Sequence, residues 1–88
     1  MAVVWIPALI RPLTDGKSQV EVAGENVREI VEALEALYPG VAARIVEDGR
    51  IRPGLSVAVD GAVGNKGLRE PVGPESEVHF VPAMTGGA

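Results

Sequence analysis

Apolar residues recur at helical spacing in the segment after Gly24, with mostly glutamate and arginine between them. The apolar positions of this segment are Val27, Ile30, Val31, Leu34 and Leu37. Spacing of i, i+3, i+4 and i+7 is typical of one face of an amphipathic helix. Asn26 suits the N-cap position, with Glu29 three residues later, and Pro39-Gly40 stops a helix. The pattern therefore predicts a helix that buries one face and ends after Tyr38.

Two stretches before this helix have the pattern of strands. The first runs from about Val3 to Ile10 and is rich in β-branched residues, which favour a pleated backbone. Pro7 cannot donate a ladder hydrogen bond, so we expect it at a bulge or at an unpaired edge. Turn residues at 14–17 precede Val20 and Val22, which alternate with polar neighbours. The two stretches together predict a hairpin.

The part of the chain after the helix predicts shorter elements. Residues 41–46 form a looser apolar segment that can add a turn of helix. Leu55 to Val59 alternates into Asp60-Gly61, a strong tight-turn dipeptide, and Ala62-Val63 can begin a return strand. Glu77 to Pro82 is the last predicted strand.

The order of these elements indicates the fold class. Strand, strand, helix, strand, short strand and strand within 88 residues predict an α+β domain with one main helix over a mixed sheet, the β-grasp arrangement. We expect this domain to span residues 1–82. Residues 83–88 are then a flexible tail, since they are mostly small and follow the last strand directly.

Composition excludes several classes of function. The chain has no cysteine, so it has no disulfide, no thiolate metal site and no cysteine nucleophile. Net charge is −4, with eight scattered basic residues, which argues against nucleic acid as a partner and allows a basic partner surface. The apolar start at residues 2–10 lacks a basic region before it and is too short to span a bilayer. We therefore expect a cytoplasmic protein without a membrane partner.

The C-terminal tail carries the strongest candidate chemistry. Gly86 and Gly87 are adjacent and directly precede Ala88, the last residue of the given sequence. Glycine has no Cβ and adopts backbone angles that other residues avoid, so such an end can thread a narrow channel and present a carboxylate to an enzyme. A frayed terminus is the plain alternative, because the last residues of most domains are disordered.

The chain resembles the ubiquitin-like sulfur carriers of the ThiS and MoaD type over nearly its whole length. The matching segments are the helix start at 26–30 with Leu34 and Leu37, the strand and turn at 57–61, and the run from Pro74 to Gly87. The last run is the most specific, because it combines a turn, an apolar strand, a proline and a short tail to Gly-Gly. Ile6-Pro7, residues 9–12 and Thr14 are similar to the longer carriers that serve a cysteine synthase.

This resemblance implies a protein cosubstrate rather than an enzyme, with no catalytic residue, bound cofactor or metal of its own. An activating enzyme uses ATP to adenylate the terminal glycine, and a sulfur donor then converts it to a thiocarboxylate. Gly87, with Gly86 before it, is the implied reaction site. The implied partners are this adenylating enzyme and a sulfur-acceptor enzyme such as a cysteine synthase homologue.

Ala88 departs from the family pattern, in which the reactive end is a terminal glycine. The carbonyl of Gly87 is here part of a peptide bond to Ala88. Some members of the family carry such extra residues, and a JAMM-type zinc metalloprotease removes them. Ala88 is therefore a candidate processing site, with an added residue or direct activation at Ala88 as the alternatives.

Other functions stay open at this point. Sulfur could pass to molybdopterin, thiamine or another acceptor instead of cysteine, with the small subunit of molybdopterin synthase as second choice. A ubiquitin-like modifier that forms isopeptide bonds needs the same adenylate. A β-grasp interaction domain with an inert tail is the third class.

We also predict a partner-binding surface where the tail leaves the sheet. Phe80, Pro82, Met84 and Thr85 are its expected residues, on the exposed face of the sheet. Trp5 can join Phe80 in this patch, although aromatic residues on strands are more often core. His79 is the single histidine and alternates with Val78 and Phe80, so we expect it on the opposite face, exposed to solvent and without a catalytic role.

Overall fold

The computed structural model describes residues 1–82. The chain order is β1 (Ala2–Trp5), a 3₁₀ turn (Arg11–Thr14), β2 (Gln19–Val22), α1 (Val27–Leu37), α2 (Val41–Ile45), β3 (Val46–Glu47), β4 (Arg50–Ile51), β5 (Leu55–Val59), β6 (Ala62–Val63), a 3₁₀ turn (Gly67–Arg69) and β7 (Glu77–Pro82). The predicted α+β class with one main helix is confirmed.

Five strands form a mixed sheet in the order β2-β1-β7-β5-β6. The last strand, β7, lies at its centre, parallel to β1 and antiparallel to β5. The hairpins β1–β2 and β5–β6 complete the two sides. A separate pair, β3–β4, was not predicted from the sequence, because each of its strands has only two residues and no alternation to detect.

The first predicted strand was too long. β1 ends at Trp5, and from Pro7 the chain turns, with the N–H groups of Ile10 and Arg11 both donating to the carbonyl of Pro7. Pro7 has no N–H to continue the ladder, so the strand stops before it. Ile10 is nevertheless buried, which shows that apolar character at this position reflects core packing and not strand continuation.

Helix α1 begins at the predicted residue and with the predicted cap. The side chain of Asn26 accepts a hydrogen bond of 2.9 Å from the N–H of Glu29. The carboxylate of Glu29 in turn accepts from the N–H of Glu25 at 2.8 Å, one residue before the position expected for a capping box. The first bond satisfies an N–H group that a helix start leaves without a partner, and the second ties down the residue before the cap.

The core fills the space between the sheet and α1. It is aliphatic apart from Phe80, and its largest fully buried side chains include Ile30, Leu34, Ile45 and Val4. Leu37 was expected on the buried face but is 57% exposed. At 100° per residue it lies about 60° around the helix axis from Leu34, at the margin of the apolar stripe.

Replacing Leu34 by alanine should lower the free energy of unfolding by about 2–5 kcal/mol, because a fully buried leucine leaves a cavity. The matched control is Leu37→Ala on the same helix, where the exposed position should cost about 0.5 kcal/mol or less. Urea titration of both variants measures the difference. Equal losses from the two variants would contradict this assignment of the core.

Candidate functional site

Strand β7 connects the domain to the tail; β1 pairs with its first half, and β5 pairs with it from Val78 to Pro82. Val4 of β1 lies opposite Val78, and Val57 of β5 lies opposite Phe80. The last described residue, Pro82, lies opposite Leu55. The pairing with β1 covers only residues 77–79, so β5 alone holds the end of β7, where the chain leaves the sheet.

The start of β7 is tied to the turn between β5 and β6. The carboxylate of Asp60 accepts 2.9 Å from the N–H of Glu77 and 2.8 Å from the hydroxyl of Ser76. The Asp60 N–H donates to the carbonyl of Glu77 at 2.8 Å, and Ser76 Oγ accepts from Gly73 at 2.8 Å. We call Asp60, Ser76 and Glu77 the Asp60 clamp. The sequence predicts Asp60 only as a turn residue, since its hydrogen-bond partners are 16 and 17 positions away in the chain.

These hydrogen bonds lower the pKa of Asp60, and the Glu77 N–H has a larger effect than the Ser76 hydroxyl. Both donors favour the charged carboxylate. Because its pKa is lower in the folded state, the charged Asp60 stabilises the fold at pH values above the pKa of an unfolded aspartate, which is about 3.9. That stabilisation is lost as pH falls through the lower pKa of the folded state.

We expect Asp60→Asn to lower the melting temperature at neutral pH. The difference in melting temperature between the variant and the wild type should become smaller as pH falls below about 4. Asparagine tolerates the positive φ of 53° at this position. The substitution removes the charge and replaces one of the two accepting oxygens by an NH₂ donor. Thermal denaturation followed by circular dichroism between pH 7 and pH 2.5 measures both curves. A gap that stays constant with pH would contradict a charge contribution.

The outer face of the sheet, opposite α1, carries an aromatic pair. The rings of Trp5 and His79 are stacked at 5.2 Å between centroids and 8° between planes. Trp5 Nε1 also donates to the carboxylate of Glu77 at 3.2 Å. His79 therefore lies on the face opposite Val78 and Phe80, as predicted, but it is partly covered by Trp5 instead of fully exposed.

The predicted placement of Phe80 on the exposed face is wrong. Its side chain is 4% exposed and belongs to the core, because it alternates with His79 and faces the helix. For Pro82 only the pairing of its backbone is described. Met84, Thr85, Gly86, Gly87 and Ala88 lie outside the described residues, so their predicted roles stay predictions.

No helix in residues 1–82 is long and apolar enough to cross a membrane. Within the same range, no three histidine, aspartate or glutamate side chains come together in a way that could hold a metal ion.

Comparison with known proteins places this geometry in a family. The sulfur carrier protein CysO of Mycobacterium tuberculosis is 27% identical over 89 residues, covering 96% of each chain. Its crystal structure gives a TM-score of 0.89 at 25% identity, covering 96% of this chain and 100% of that one. A chain of the Amycolatopsis orientalis BexX/CysO complex gives 0.90 at 29% identity, covering 99% and 100%.

Small archaeal modifier protein 1 of Methanosarcina acetivorans gives a TM-score of 0.78 at 21% identity, covering 98% and 95% of the two chains. At that identity the likeness shows the fold alone, and it agrees with the ubiquitin-like β-grasp prediction. The ThiS family matches residues 4–87, a range that includes both tail glycines. This chain therefore belongs to the ThiS family.

Proposed function

We propose that this protein is a sulfur carrier and acts as a protein cosubstrate, with Gly87 as the residue that receives the sulfur. The observation that carries the proposal is the extent of the family match, which runs through the central strand β7 to Gly87. The similarity to CysO, a sulfur carrier protein by name, supports the same conclusion.

The chemistry requires activation by a separate enzyme. A terminal carboxyl group with a pKa of about 3.5 is ionised at neutral pH and is a poor electrophile. In the proposed reaction, a carboxylate oxygen of Gly87 attacks the α-phosphorus of ATP and pyrophosphate leaves. Sulfide (HS⁻) then attacks the carbonyl carbon of the acyl-adenylate, AMP leaves, a proton is released, and the thiocarboxylate remains. The ATP belongs to the activating enzyme, so the carrier needs no bound cofactor.

The fold supports a carrier that presents its terminus while a separate enzyme performs the activation. An adenylating site must receive the tip of the chain, while the domain stays outside and is held by its surface. The Asp60 clamp and β1 hold the start of β7, and β5 pairs with it as far as Pro82, so the residue from which the tail departs stays part of the sheet. Because this anchor is fixed, less conformational freedom is lost when the tip is bound.

We further propose that the acceptor is an enzyme of cysteine synthesis and that Ala88 is removed first. The relative CysO is a sulfur carrier protein, and a CysO chain of Amycolatopsis orientalis forms a complex with BexX, which supports a protein partner for this chain by similarity. Ala88 lies one residue beyond the matched range. A JAMM-type metalloprotease that hydrolyses the Gly87–Ala88 bond would provide the free carboxylate that adenylation requires.

Intact-mass analysis of the protein purified from its native cells tests this function. We expect a population that lacks Ala88 and carries sulfur in place of one oxygen at its terminus. Incubating that population with a cysteine synthase homologue and an activated serine should add cysteine to the terminus. If Gly87 is instead found in isopeptide bonds to lysines of other proteins, the protein is a modifier and the carrier proposal fails.

A further inference from the structure

A cleft lies at the end of the sheet where the chain leaves β7. Pro7 and Leu9, from the turn after β1, line one part of it, and Arg52, Pro53 and Leu55 line another. Leu55 is the residue that pairs with Pro82, so the cleft adjoins the root of the tail. Its volume is about 280 Å³. We call this feature the tail-root cleft.

The charge of this cleft is opposite to the charge of the whole chain. Among residues 1–82, the charged side chains that line it are Arg44 and Arg52, whereas the protein as a whole has a net charge of −4. Composition alone suggested a basic partner surface, but the local charge fits an acidic one. Opposite charges across an interface speed association and suppress wrong partners.

The two arginines are held differently. Arg52 donates from Nη1 to the carbonyl of Ala43 at 3.2 Å, and its Nη2 lies 3.7 Å from Glu47. Arg52 thus has a defined orientation and a partly balanced charge. Arg44 is exposed and, within the described part of the chain, takes part in no ion pair. Arg44 therefore supplies the less compensated charge of the cleft.

Leu9 adds an apolar contact on the rim of the same cleft. Its side chain is 93% exposed, more than any other large apolar side chain in residues 1–82. Nothing in the fold requires leucine at so exposed a position. Covering it in a complex would remove apolar surface from water, which favours binding.

We propose that the tail-root cleft docks the adenylating enzyme through a segment of that enzyme in which carboxylates flank an apolar recess. The carboxylates pair with Arg44 and Arg52, and the recess takes Leu9. The enzyme that encloses the tip of the tail must lie over the root of the tail, so this cleft is within its footprint. The choice of partner rests on the proposed function, whereas the chemistry of the surface rests on the contacts above.

Direct binding of the full chain to the adenylating enzyme of the same organism, measured by calorimetry without ATP, tests the proposal. We expect Arg44→Glu and Arg52→Glu each to raise Kd at least tenfold at low salt and to flatten its salt dependence. Leu9→Ser should raise Kd severalfold with the salt dependence retained. The charge control is Arg28→Glu, which makes the same charge change on α1 at a residue that does not line the cleft. It breaks only the exposed ion pair with Glu32 and should leave Kd unchanged.

The outcomes separate the two proposals. Arg52→Glu removes a hydrogen bond to Ala43 and can therefore lower stability. Arg44→Glu breaks no described contact. If the melting temperatures of the two variants differ, Arg44→Glu is the decisive variant. A Kd for Arg44→Glu equal to that of Arg28→Glu, or no binding by the wild type, overturns the docking proposal. Wild-type binding without any adenylation of a chain ending at Gly87 overturns the proposed function, and the variants still decide the docking site.

Discussion

Replacing Gly87 by valine should reduce ATP–pyrophosphate exchange by at least about 100-fold, a loss of about 2.7 kcal/mol in transition-state stabilisation. A β-branched side chain at the reacting residue fills a channel that the family pattern reserves for glycine, and it restricts the backbone angles that glycine permits. The parent for this comparison is the chain that ends at residue 87, so that the carboxylate is free. The measurement is isotope exchange catalysed by the cognate adenylating enzyme.

Two controls make that result specific. Ala83→Val introduces the same branching four residues before the tip and should retain exchange within a few-fold. The melting temperature of Gly87→Val should equal that of the parent, because residue 87 lies beyond the core formed by residues 1–82. Undiminished exchange in Gly87→Val would show that the tip is not the site of activation.

A chain that ends at Ala88 should be inert in thiocarboxylate formation, and removal of Ala88 should switch it on. In that chain the Gly87 carbonyl is part of an amide, which ATP cannot adenylate without prior hydrolysis. A chain ending at Gly87 should be converted by the activating enzyme and a sulfide source. The chain ending at Ala88 should show no conversion until a JAMM-type metalloprotease is added, and intact mass spectrometry follows both.

The same experiment has a clear opposite outcome. If both chains give equal yields of thiocarboxylate and the longer product still contains Ala88, the extra residue does not mask the site. A catalytically inactive metalloprotease is the matched control for the activation step, because it separates hydrolysis from binding. Failure of the active protease to release Ala88 would remove it from the proposed pathway.

Helix α1 shows how much local sequence can determine. Its start, its cap and four of its five predicted inward positions follow from spacing and from the chemistry of Asn26, which act within a few residues. Strand β1 shows the limit of the same reasoning. Apolar character continued to Ile10, but Pro7 ended the ladder, and Ile10 is buried in a turn.

The candidate site likewise has one part that the sequence predicts and another that it does not. The Gly86-Gly87 pair and the exit of the tail from the last strand are visible in the sequence, and the family match includes them. The Asp60 clamp and the Trp5–His79 stack join residues far apart in the chain, and no local pattern indicates such contacts. Phe80 was placed on the wrong face because alternation separates the two faces of a strand without showing which one meets the helix.

By itself, the sequence determined the type of the main elements and the α+β class, and it predicted the chemistry of Gly86 and Gly87, because each depends on neighbours in sequence. Tertiary structure alone decided that β7 lies at the centre of the sheet, paired on both sides. It also brought Arg44, Arg52 and Leu9 together on an otherwise acidic protein. The register between distant strands sets these positions, and it follows from the packing of the whole core.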